Sequence, residues 1–152
     1  MSRLRSPGRT PPFAPGKTLG EALLAPTRIY VKPVLRVLAG TNGVKALAHI
    51  TGGGFRDNLP RGLPKNLGVE IDLSAIPVPE VFAWLAANGG IAESEMLRTF
   101  NCGIGIVVIV DSGKAAEVLR AFRSAGEDAV AIGRVVAIEA GERVVYSGRL
   151  AL

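Results

Sequence analysis

The sequence predicts an α/β (α+β) domain, a mixed β-sheet with helices packed on it. Three observations lead there. Strand-like and helix-like segments alternate without a repeating unit. The run GIGIVVIV at 103–110 is β-branched apart from two glycines, as expected of a central strand covered on both faces. In the segment 114–125, Ala115, Val118, Leu119 and Phe122 fall on one helical face. With 152 residues, 48% hydrophobic and 20% charged, the chain can bury one real core.

Residues 1–16 (MSRLRSPGRTPPFAPG) are rich in Pro, Gly, Ser and Arg and read as an extended or disordered leader. Residues 17–152 read as a single domain. Pro26 and Pro33 interrupt any long helix, leaving a helical turn at 21–24, an extended piece at 27–32 and a helix at 34–39 that Pro33 begins. Gly40 and the pair Asn42, Gly43 stop it. Strands follow at 44–50 (VKALAHI) and 68–73 (GVEIDL). Pro79 opens a helix, PEVFAWLAANGG, with Val81, Phe82 and Leu85 on one face and Gly89 and Gly90 at its end. A short helix spans 93–98. After the apolar strand, Asp111 or Ser112 caps the helix 114–125, and Gly126 terminates it. Residues 128–138 and 143–147 read as strands joined by a turn at 139–142.

Composition excludes several function classes. The only cysteine is Cys102, so neither a disulfide framework nor a cysteine-built zinc site exists within one chain. No apolar run is long enough to span a bilayer and no signal-peptide core stands at the N-terminus; a soluble, cytoplasmic protein is expected. The net charge of +5 invites a nucleic-acid reading. Arg3, Arg5, Arg9 and Lys17 precede the first acid, Glu21, which leaves 14 basic against 13 acidic residues from position 18 onward. The basic character therefore belongs to the leader. Neither nucleic acid nor membrane is an expected partner.

Two glycine motifs fail on inspection. GKT at 16–18 resembles the end of a phosphate-binding loop, but Pro11 stands where that loop needs its first glycine and no strand precedes it. GIG at 103–105 starts a dinucleotide fingerprint, yet Val108 replaces the third glycine and the segment reads as strand. Trp84 reads as core, and Cys102 as a small buried residue rather than a nucleophile. His49 is the only histidine and makes a poor metal site alone; no metal-binding residue is assigned.

The stretch AHITGGGFRDNLPR at 48–61 is different. A strand runs directly into Gly52, Gly53 and Gly54, and a glycine triplet is entropically costly. Successive N–H groups there could converge on an anion, with an amide from Asn58 and a bidentate fork from Arg61. A packing turn, with Arg61 in a surface ion pair, accounts for the same residues equally well. The residues alone leave both open.

Four ordered stretches carry a resemblance: LLAPTRIYVKPV (23–34), HITGGGFRDNLPR (49–61), EMLRTFNCGIGIVV (95–108) and GEDAVAIGRV (126–135). From Phe13 to the end the chain resembles the C-terminal domain of the phosphoribosylformylglycinamidine cyclo-ligase (aminoimidazole ribonucleotide synthetase) family. Ile106 stands where the family often has methionine. The family's N-terminal domain carries a D-x4-G-A-x-P motif for magnesium and ATP phosphates, and no such motif occurs in this sequence.

The resemblance implies a substrate-side domain of a ligase in purine biosynthesis, incomplete without its N-terminal domain. Its substrate would be formylglycinamidine ribonucleotide. ATP and Mg2+ would serve the complete enzyme, with neither held by this chain alone. The matching motif residues are His49, a proton-transfer candidate, and Thr51, Gly52, Gly53, Gly54, Asn58 and Arg61, candidates for substrate or phosphate contact. Thr99, Asn101 and Gly103 match a second loop of the same site. Implied partners are the N-terminal domain or the chain that carries it, and further copies of this chain through the apolar face that domain would cover. Because related enzymes share the scaffold, a freestanding phosphate- or nucleotide-binding module, or a purely structural one, is the alternative.

Overall fold

The computed structural model describes residues 8–152; the part of the expected leader before Gly8 lies outside them. The α/β class holds, and the strands divide into two sheets rather than one. The elements in order are α1 (Leu19–Leu23), α2 (Val31–Gly40), β1 (Val44–His49), α3 (Gly54–Asn58), β2 (Leu67–Asp72), α4 (Glu80–Gly89), α5 (Glu93–Thr99), β3 (Ile106–Val110), α6 (Ala115–Ser124), β4 (Gly133–Ala137) and β5 (Val144–Ser147). Short 3-10 turns lie at Leu59–Gly62, Leu73–Ala75 and Ser112–Lys114.

Between Gly8 and Gly16 the chain forms turns and is not loose throughout: Pro11 is buried, and the Phe13 ring meets Trp84 edge-on at 5.4 Å between centroids. The threonine of the GKT tripeptide then finds its use. Thr18 is the N-cap of α1, its hydroxyl accepting from the Glu21 N–H while the Glu21 carboxylate accepts from the Thr18 N–H. That reciprocal box satisfies two donors which a helix start leaves open. α2 begins at Val31, three residues before the sequence places it, because Pro33 sits inside the first turn, where its missing N–H is not needed.

β1 and β3 pair antiparallel as a two-stranded ribbon, with His49 opposite Ile106 and Ala48 opposite Val107. The ribbon separates two cores. Ala48 and Val107 face the main one, built on Ile50, Phe55, Leu59, Ile71, Leu73, Met96 and Cys102. Ile106, Val108 and Val110 face the smaller one, where Val34 and Val37 of α2 meet Val118 and Phe122 of α6. The β-branched run is thus covered on both faces as expected, but it is not central. β3 has no second strand neighbour among the described residues, and all five of its residues stay half-exposed.

The central strand is β2. In the second sheet β4 pairs antiparallel with one edge of β2 and β5 pairs parallel with the other. The expected hairpin of the last two strands is therefore replaced. β4 ends opposite Leu67, the connector bonds through the Ile138 N–H to the Asn66 carbonyl, and β5 starts beside Val69. With β4 and β5 on opposite sides of β2, both edges of β2 are paired, whereas a hairpin would leave one bare.

Candidate functional site

The glycine stretch is the hinge between β1 and α3. The Ile50 N–H donates to the Gly105 carbonyl (2.9 Å), which fixes where the strand ends, and the Gly54 N–H closes a turn onto the Thr51 carbonyl (3.1 Å). Gly53 and Gly54 have φ of 89° and 55°, in the left-handed region that disfavours side chains. A Cβ on Gly54 would clash with the Leu97 carbonyl of α5, and one on Gly53 with the Asp57 side chain. Gly52 is unlike them: its φ is not positive, it is exposed, and a Cβ there would meet nothing within 4 Å.

The close approach at Gly54 brings the two motif loops together, since Leu97 and Phe100 belong to the stretch that ends at Gly103. Several candidate residues turn out to build this junction. Asn58 is buried, and its side-chain amide donates to the carbonyls of Gly54 (2.7 Å), Gly52 (3.3 Å) and Thr51 (3.5 Å). As a donor it holds the loop and does not point outward. The Asn101 carbonyl oxygen accepts from the Gly103 N–H (3.0 Å), and the Thr99 hydroxyl donates to Glu95 (3.0 Å). Glu95 also takes a two-pronged contact from Arg98 at 2.8 and 2.9 Å. The hydrogen bonds from Arg98, then Thr99, hold the Glu95 carboxyl below its usual range.

The outward-facing candidates are His49, Thr51, Gly52 and Arg61, all exposed. Arg61 stands on the 3-10 turn after α3 and makes no ion pair among the described residues. That turn is pinned from the far end of the chain. The Arg143 guanidinium donates to the carbonyls of Pro60 (3.1 Å), Leu63 (3.0 Å), Pro64 (2.6 Å) and Leu67 (3.0 Å). His49 has the Tyr30 ring edge-on beside it, 6.5 Å between centroids, and the Tyr30 hydroxyl lies against Gly105.

Sequence reasoning missed Asp57, Tyr30 and Arg143. Asp57 lies between Gly54 and Asn58 in the quoted motif and was visible there; Tyr30 lies in another motif, and its contact with His49 is made only by the fold. Arg143 carried no signal, because its partners are carbonyls nearly half the chain away. Cys102 is fully buried, and burial, then the charge of Glu93, pushes its thiol up to about 11. That agrees with an inert packing role. An open cleft of about 290 Å³ is lined by Phe13, Ala14, Lys17, Ala22, Pro79, Glu80 and Val81, none of them a candidate residue. The candidate loops instead lie on open surface.

Among the described residues, no helix is long and apolar enough to cross a membrane. No group of three or more His, Cys, Asp or Glu side chains stands ready to hold a metal ion there either. Fold and loops together define an α/β domain with two sheets, in which a glycine loop packs against the 95–103 segment. The sequence from 4 to 146 matches the family described as AIR synthase related protein, C-terminal domain, and the chain belongs to that family.

Proposed function

We propose that this chain is the substrate-side domain of an ATP-dependent cyclo-ligase that closes formylglycinamidine ribonucleotide to aminoimidazole ribonucleotide. The observation that carries the reading is the meeting of the two motif loops at Gly54, against the Leu97 carbonyl. Thr51, Gly52, Arg61 and Gly103, which these loops carry, are each exposed. Membership of the family supports the superfamily; the four motif stretches favour the cyclo-ligase within it.

The reaction phosphorylates the formyl oxygen with ATP, releasing ADP; an amidine nitrogen then attacks the formyl carbon, and inorganic phosphate leaves with that oxygen. A protein serving it must hold two phosphorylated ligands in register. In this reading the Arg61 fork takes the ribonucleotide phosphate, and the bare backbone at Gly52 lets the substrate approach. His49, exposed at the end of β1, is placed to relay a proton. ATP and Mg2+ belong to an N-terminal-type domain facing these loops.

Calorimetry with the ribonucleotide, on the full chain combined with an N-terminal-type domain of the family, tests the loop assignment. Arg61→Ala should weaken binding about 10- to 100-fold, the worth of a lost charge-assisted contact. Unchanged affinity would remove Arg61, and with it the phosphate end of the site.

A further inference from the structure

We propose that Asp57 is the specificity residue of this site, a carboxylate that recognises the cationic amidine of the substrate. The inference rests on the cyclo-ligase reading and adds which end of the substrate this loop reads. The two motif loops, 49–61 and 95–103, contain two acids, Asp57 and Glu95. Glu95 is committed, since it accepts from Arg98 twice and from Thr99 once. Asp57 is exposed; its N–H donates to the Gly53 carbonyl (3.3 Å), and its carboxylate makes no hydrogen bond or ion pair among the described residues. Its side chain lies across Gly53, beside the open space over Gly52.

The neighbouring cations make no ion pair with it, although its charge acts on Arg98. Arg56 is paired with Glu142, and Arg98 is held by Glu95. A carboxylate left without a partner over a backbone that admits close approach disfavours a bare phosphate there. It favours a planar cation with parallel N–H groups, which an amidinium supplies in the same fork geometry as a guanidinium. The substrate then lies with its phosphate toward Arg61 and its amidine toward Asp57. An uncharged amide in place of the cationic amidine loses two N–H groups and the positive charge, so the loop would reject it by the mechanism that lets a polar site reject an analogue lacking its partner group. Asp57 also occupies the first turn of α3, where an acid complements the helix dipole. That role would affect folding and not the choice between two ligands.

The test is a ratio. The full chain with an N-terminal-type domain is titrated with formylglycinamidine ribonucleotide and with its amide analogue, oxygen replacing the amidine nitrogen. Wild type should prefer the amidine by about 10- to 100-fold, and Asp57→Asn should reduce that preference to near one with little change in the affinity for the amide. Asp57→Ser gives the same readout should the Asn variant fold poorly, and Asp57→Glu should restore part of the preference. A preference that survives in the Asn or Ser variant overturns the assignment of Asp57 and leaves the cyclo-ligase reading standing. Equal binding of both ligands by wild type overturns it too. Binding of neither ligand by wild type would remove the cyclo-ligase reading itself.

Discussion

The three glycines of the loop have different reasons to be glycine. Gly53 supplies the left-handed turn that starts α3, and Gly54 lies under a backbone carbonyl of α5. Only Gly52 has no structural reason in the surrounding contacts. Packing thus accounts for two of the three, and the ligand reading proposed above rests on Gly52 alone. Gly54→Ala should destabilise the domain by more than about 2 kcal/mol, because both its φ and its neighbour forbid a Cβ. Gly52→Ala should stay within about 0.5 kcal/mol of wild type yet weaken ribonucleotide binding. Thermal denaturation beside calorimetry reads both; a stable Gly54→Ala, or a Gly52→Ala that binds normally, would count against this division. The sequence shows that a triplet needs explaining. It does not show which glycine meets Leu97, because that contact is made by a distant segment. The same limit hides the inward turn of Asn58, whose partners are backbone carbonyls and leave no mark in residue type.

Helices and most strand positions were legible as elements, because apolar periodicity and Gly or Pro stops act locally. The helix 34–39 was placed late because proline was read as its start, whereas Val31 and Lys32 already complete the turn before it. Pairing was the illegible part. The run at 103–110 looks like a central strand since both its faces are covered, but its covers are two separate cores, and the central position falls to β2. The joint between 138 and 143 reads as a hairpin turn, but the chain there passes around the start of β2. Arg143 secures the second arrangement and, through Pro60, Leu63 and Pro64, the turn bearing Arg61. Removing four carbonyl contacts of a charged donor should cost about 2–4 kcal/mol in Arg143→Ala. Arg143→Lys should recover only part, since an ammonium cannot reproduce the fork. Urea titration measures both, and a loss below about 0.5 kcal/mol for the alanine variant would show the clamp to be incidental.

As a whole the molecule leaves its outward-facing candidates, His49, Thr51, Gly52 and Arg61, exposed to solvent, and it exposes apolar side chains along one stretch of chain. Leu24 is 82% exposed, Ile29 78%, Val31 61% and Leu35 60%. Clustered exposed apolar residues of this kind are characteristic of surfaces that meet another protein surface. Open loops and an apolar flank together fit a site completed by a second domain, which is the central claim. Its most direct measurement is ATP-dependent ring closure by this chain mixed with a separately prepared N-terminal-type domain of the family. The account predicts conversion of formylglycinamidine ribonucleotide to the imidazole with one phosphate released per ring closed, in the mixture and with neither component alone. Association of the two components without any ring closure would contradict it.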